Sequence, residues 1–222
     1  MPTSALTATG DWPLLIQPGW QDSGPEHWQS HWQQRLGARR VHNRDWHAPQ
    51  LEEWLAGLHA GLEACGRPAV VIAHSLGCIT VAHYARRHPE RIAAALLVAP
   101  ADVERSAVPA ALAGFGPIPR APLPFPAVVV ASSNDPYCLP VRAAALAAAW
   151  QAPVEWLSGA GHINAGSGLG GWQEGERYLQ RLYEQLQAGP GRDALRSVVT
   201  ALCDDLMRIK ERLDQFVRSD RQ

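Results

Sequence analysis

The sequence predicts an α/β fold, a mostly parallel sheet covered by helices on both sides. Two observations carry this. Short apolar runs of strand length alternate along the chain with segments of helical periodicity, the order that builds parallel sheets. The strongest run, Ala69-Val70-Val71-Ile72-Ala73, is continuously apolar and rich in β-branched residues, as in a strand buried on both faces. The chain length of 222 residues, 46% of them hydrophobic, supplies one such domain with a full core and a little more.

The elements follow in order. Leu14-Leu15-Ile16-Gln17 is a short strand stopped by Pro18-Gly19. Leu51 to Cys65 has helical spacing through Leu51, Trp54, Leu55, Leu58 and Leu62. The strand Ala69–Ala73 is followed by a helix from Cys78 to Arg87, closed by His88-Pro89. Ala93 to Val98 and Ala127 to Ala131 are further strands, Val141 to Trp150 an Ala-rich helix, Val154 to Leu157 a last strand and Trp172 to Gln187 a closing helix. Between them, residues 101–126 form a long connector rich in Pro and Gly, of a length that is often functional at strand ends. In open sheets of this kind ligands bind beyond the C-terminal strand ends.

Composition excludes several classes of partner. Lys and Arg total 20 against 21 Asp and Glu, a net charge of −1, so no broad field gathers nucleic acid or an anionic membrane. A neutral or mixed-charge small molecule is the expected substrate. Cys65, Cys78, Cys138 and Cys203 form no Cys-x-x-Cys pair and read as reduced thiols. Residues 1–11 lack the basic start and apolar stretch of a signal peptide, and no run has the length of a membrane span. The expectation is a soluble, cytoplasmic protein.

Ala73-His74-Ser75-Leu76-Gly77 sits between the most buried strand and a helix. A serine there occupies a tight strand-to-helix turn that lifts its hydroxyl above the sheet, flanked by small residues because the turn leaves no room. Gly77 meets that demand, and Ala73 replaces the more usual glycine. The helix start offers the Leu76 N–H and positive potential to an oxyanion. A nucleophilic serine needs a base, and the base an orienting acid. Downstream histidines are His83, His88 and His162. The first two lie on the following helix or at its end, pointing away, whereas His162 lies in the Gly-rich stretch Ser158–Asn164 beyond a strand. Asp135 and Asp102 both follow strands. Asp135, in Ser132-Ser133-Asn134-Asp135-Pro136-Tyr137, is preferred because it comes one strand before the His162 segment. A second oxyanion donor is expected after the first strand, where Gly19 lets the backbone come close and the N–H of Trp20 or of Gln21 faces the site.

Residues 12–187 resemble the small serine hydrolases related to retinoblastoma-binding protein 9, the YdeN-like hydrolases. The resemblance is carried by Pro18-Gly19-Trp20, Glu26-His27-Trp28, His74-Ser75-Leu76-Gly77, Ser133-Asn134-Asp135-Pro136 and Gly161-His162-Ile163-Asn164, in that order. It implies a compact α/β-hydrolase without a large lid, a Ser75–Asp135–His162 triad, esterase or amidase activity on small acyl substrates, and no metal or organic cofactor. It raises Asp135 above Asp102. The retinoblastoma-protein partner is not carried over, because the sequence has no Leu-x-Cys-x-Glu string.

Two features remain. Trp20, Trp28, Trp32 and Trp46 cluster with His27, His31, His42 and His47. His27 and His31 have i, i+4 spacing, yet nothing completes a metal set. The expectation is that Trp28 and Trp32 pack a helix face on the sheet, that the histidines lie near the surface or cap loops, and that Trp20 walls the acyl pocket. The other feature follows Ala188-Gly189-Pro190-Gly191, which divides a hydrolase domain (1–188) from a linker and C-terminal amphipathic helix (189–222). Leu195, Val199, Leu202, Leu206, Ile209, Leu213 and Phe216 follow a heptad pattern, with Val199, Leu206 and Leu213 at a. This helix either forms a homo-oligomer through residues 195–217 or docks on its own domain. The rival to an enzyme is an interaction module on a hydrolase scaffold that uses that helix.

Overall fold

The computed structural model describes residues 12–188. The chain divides after Tyr183 into two units, and the sheet with its helices belongs to the first. The boundary at 188/189 and the heptad segment 195–217 lie outside the described residues.

Six strands form one sheet: β1 (Leu14–Gln17), β2 (Arg39–Arg40), β3 (Ala69–His74), β4 (Ile92–Val98), β5 (Ala127–Ser132) and β6 (Val154–Leu157). Their spatial order is β2-β1-β3-β4-β5-β6, and every neighbouring pair is parallel. β3 and β5 are buried at every position, which their unbroken apolar sequences require. Four α-helices precede the closing one: α1 (Trp28–Leu36), α2 (Leu51–Ala64), α3 (Leu76–Ala85) and α4 (Pro140–Ala149). α2 turns Trp54, Leu55, Leu58 and Leu62 inward, the stripe its spacing predicts. α3 is buried almost all round, so it lies inside the molecule and its apolar sequence has no polar face. α4 opens with Pro140 at a first-turn position, where the missing N–H costs nothing.

The chain starts in the sheet at β1, moves outward to β2, then returns to β3 and steps the other way to β6. The direction reverses between β1 and β3, and the crevice beyond the ends of those two strands is where such a sheet holds ligands. The 101–126 connector leaves the end of β4 and is anchored along its length. Leu112, Phe115 and Ile118 are buried, His83 Nε2–H donates to the Phe115 carbonyl at 2.9 Å, and Trp150 Nε1–H to the Pro119 carbonyl at 2.8 Å.

Three expectations are corrected. α1 is the helix expected to pack Trp28 and Trp32, both of which it buries, whereas the two-residue β2 is a strand that the apolar runs do not predict. β2 is Arg-Arg at the sheet edge and carries no apolar signal. The closing helix begins at residue 176, not at Trp172. Trp172 sits at φ 39°, a left-handed conformation outside any α-helix, it precedes only the short 3-10 turn Gln173–Gly175, and its buried indole stacks on Trp32. His27 lies inside, only 5% exposed, though it does cap a helix. Among the described residues no helix is long and apolar enough to cross a membrane.

Candidate active site

Ser75 is the residue between β3 and α3, at φ 56°, ψ −121°. A non-glycine residue avoids that conformation unless its surroundings impose it. They do so from three sides. Ser75 N–H donates to the Val98 carbonyl at 3.0 Å, Ala101 N–H donates to the Ser75 carbonyl at 3.3 Å, and the two flanking glycines admit close neighbours. A Cβ on Gly77 would stand 2.5 Å from the Gln17 carbonyl oxygen, and one on Gly19 would stand 2.7 Å from the Ser75 Cβ. The turn after β1 thus presses directly on the nucleophile turn after β3.

His162 Nε2 is 2.8 Å from Ser75 Oγ. On its other edge His162 Nδ1 lies 2.8 and 3.0 Å from the two carboxylate oxygens of Asp135. A carboxylate accepts, so Nδ1 carries the hydrogen and Nε2 is left with a lone pair facing the serine hydroxyl. Asp135 is 4% exposed and His162 8%, so the pair works largely out of water. Tyr137 N–H donates to Asp135 Oδ1 at 2.8 Å and fixes the carboxylate from its own turn. Asp102 is elsewhere: its carboxylate lies 3.3 Å from Arg142 Nε and accepts from the Glu104 N–H at 3.1 Å.

His162 stands on an irregular loop, and that loop is tied down along its length. Ser133 Oγ accepts from the Gly159 N–H at 2.9 Å, and Asn134 Oδ1 from the Gly161 N–H at 2.7 Å. Ser167 Oγ–H donates to the Ala160 carbonyl at 2.6 Å, His74 Nε2–H to the His162 carbonyl at 2.9 Å, and Trp28 Nε1–H to the Ile163 carbonyl at 2.8 Å. The Asp135 turn and the His162 loop are therefore one hydrogen-bonded unit, with His74, the residue before Ser75, and Trp28 of α1 as further ties.

Comparison with known proteins bears directly on this arrangement. The model of the Serine hydrolase family matches residues 14–181. A protein from Pectobacterium atrosepticum described as a YdeN-like hydrolase is 35% identical, with a TM-score of 0.71 over 79% of this chain and 92% of that one. The chain belongs to the serine hydrolase family. The ydeN gene product of B. subtilis is similar at 18% identity and a TM-score of 0.65, covering 78% of this chain and all of that one. Est1E from Butyrivibrio proteoclasticus is similar at 14% identity and 0.60, over 78% and 89%. These two show the shared fold. A search of curated proteins finds no match.

The cleft of this serine hydrolase has a volume of about 370 Å³ and opens over Ser75 and His162. Trp20, His27, Arg105, Leu112 and Tyr137 are among the residues that line it. The two loop N–H groups left open by the sequence are now distinguishable. Gln21 N–H donates to the Trp46 carbonyl at 3.0 Å. The N–H groups of Trp20 and Leu76 have no acceptor among the described residues, and Leu76 opens α3 where the helix dipole is positive.

Three histidine rings lie side by side, with centroids 4.8 Å apart for His27 and His74 and 4.9 Å for His74 and His162. Burial pushes the pKa of His74 well below the usual histidine range, and that of His27 down to about 4 with help from Arg40. His27 Nδ1 accepts from the Gln29 N–H at 3.1 Å as the cap of α1, which excludes it as a metal ligand through that atom. Trp28 and Trp32 pack on each other and on Trp172, and their indole N–H groups reach the Ile163 and Gly171 carbonyls. They hold loops as well as filling space. Asn134, His74 and Trp28 were not recognised as supports of the base; only the Asn134-Asp135 adjacency and the motif positions of His74 and Trp28 hinted at it.

Proposed function

We propose that the protein hydrolyses small esters or amides through an acyl-enzyme on Ser75. The supporting observation is the continuous Ser75 Oγ–His162–Asp135 hydrogen-bond chain, with the hydrogen on Nδ1. His162 takes the hydroxyl proton as Ser75 attacks the carbonyl carbon, and Asp135 stabilises the imidazolium that forms. The Leu76 and Trp20 N–H groups receive the oxyanion. His162 then protonates the leaving group. A water enters, loses its proton to His162 and releases the acid. Trp20, in the cleft wall, bounds the acyl pocket.

The test is a fluorophosphonate probe on the wild type and on Ser75→Ala, followed by turnover of a 4-nitrophenyl ester series. Labelling confined to Ser75, with ester turnover that falls at least about a thousandfold in the variant, is expected. Folded wild type that neither labels nor turns over an ester would defeat this reading.

A further inference from the structure

The charges that line the cleft do not cancel. Asp22 is the lining carboxylate, and it is paired to Arg40 at 2.6 Å. Arg105 is the lining guanidinium, and no carboxylate lies within ion-pair distance of it among the described residues. The nearby acids are engaged elsewhere: Asp102 with Arg142, and Glu104 with Arg120, Arg142 and the Ile118 N–H. A half-buried cation without a counter-ion, next to a catalytic pair, is a recognition element for negative charge.

Its orientation narrows the ligand. Arg105 Nη1–H donates to the Asp102 carbonyl at 2.9 Å, and the guanidinium carbon sits 5.4 Å from the centre of the Tyr137 ring. The same ring meets His162 edge-on at 4.6 Å. These contacts hold the guanidinium close to the reacting atoms and leave its Nη2 and Nε hydrogens uncommitted. That edge is a two-donor fork matched to a carboxylate.

We propose that the substrate carries a carboxylate beside its ester or amide bond and that Arg105 binds it. The inference rests on the hydrolase reading above and narrows its substrate class to anionic esters or amides. The net charge of −1 spread over the chain conceals this local positive site.

The test compares 4-nitrophenyl half-esters of succinate, glutarate and adipate with neutral 4-nitrophenyl esters of matched length. Wild type should prefer at least one half-ester by about tenfold or more in kcat/KM, chiefly through KM, because charge-assisted hydrogen bonds are the strong ones. Arg105→Gln should reduce that ratio about tenfold. Arg105→Lys, which keeps charge and loses the fork, should fall between them. Free glutarate should inhibit neutral-ester turnover by the wild type more strongly than by Arg105→Gln, and salt should weaken both effects. A half-ester ratio near one in the wild type, or a ratio unchanged in Arg105→Gln, overturns the proposal while Ser75-dependent turnover of neutral esters leaves the hydrolase reading standing. Absence of any Ser75-dependent turnover overturns both.

Discussion

Replacing Gly19 by alanine tests how tightly the nucleophile turn is built. The added methyl would lie 2.7 Å from the Ser75 Cβ, 3.0 Å from the His74 carbonyl oxygen and 3.3 Å from Ser75 Oγ. Carbon atoms pack at about 3.5–4.0 Å, so the two turns must separate by roughly an ångström. Neither of the two nearest atoms is a flexible side-chain end. One is main chain and the other is a Cβ on a residue already held at φ 56°. The movement lengthens the 2.8 Å contact between Ser75 Oγ and His162 Nε2 and shifts the turn that carries the Trp20 N–H. A misplacement of that size costs on the order of a hundredfold in turnover, and overpacking of a tight site costs about 1–3 kcal/mol of stability. The assay is kcat and KM on a 4-nitrophenyl ester, the rate of fluorophosphonate labelling, and urea unfolding of the same samples. Gly114→Ala is the control, because nothing lies within 4 Å of a Cβ there. Gly19→Ala that keeps kcat within about threefold of wild type would refute the claim that the β1 turn positions the nucleophile.

Two further outcomes are expected. His74→Phe keeps an aromatic ring and removes the donor to the His162 carbonyl, so kcat should fall about ten- to a hundredfold; the pH–rate profile should keep its shape near neutral pH, because burial holds the His74 pKa well below the usual histidine range, and an unchanged kcat would show that the bond positions nothing. His27 makes folding depend on pH: its pKa is about 4 in the fold against 6.5 for the free group, so the unfolded chain binds the proton first and stability is lost as pH falls from about 6.5 to 4. That loss is about 3 kcal/mol at most. Urea unfolding at pH 7, 5.5 and 4.5 should show a smaller decline in His27→Asn, which retains a helix cap, and equal declines would refute the assignment.

The parts of the site that were legible in the sequence are those fixed by local chemistry. Ser75 declares itself because a buried strand, a small-residue turn and an apolar helix are contiguous. Asp135 and His162 each follow a strand in turn-forming sequence. What stayed hidden depends on groups distant along the chain. The choice between Trp20 and Gln21 turns on the carbonyl of Trp46, which the chain brings alongside only after β2 and its loop are in place. Asp102 was a credible acid until Arg142, on α4, was seen beside it. Trp28 read as a packing residue, and its bond to Ile163 spans 135 positions. α1 shows in the sequence only through Trp28 and Trp32, because its third buried position is Gln29 and its inward face is partly polar. Gln29 is buried because its amide donates to the Ile72 carbonyl at 3.0 Å and its oxygen accepts from Ser23 Oγ–H at 2.6 Å.

The division of labour among the loops has a consequence for specificity. The elements that carry Ser75 and His162 are over-determined: the Ser75 turn by Gly19, Gly77 and two main-chain bonds, and the His162 loop by five hydrogen bonds with the side chains of Ser133, Asn134, Ser167, His74 and Trp28. Groups held this way need little reorganisation when charge develops on the oxyanion and the imidazole. The far wall of the cleft is supplied instead by the 101–126 connector, through Ala101, Arg105, Pro109 and Leu112. That connector meets the Ser75 turn through the Ala101 N–H and the Asp135 turn through the Asp102 N–H, which donates to the Tyr137 carbonyl at 3.1 Å, while buried Leu112, Phe115 and Ile118 fix it to the core. The cleft wall thus joins this connector to Trp20 from the turn after β1, beside the turns that hold Ser75 and His162. The charge that Arg105 places in the cleft is a property of this chain's connector, whereas the triad geometry rests on the sheet and the turns above it.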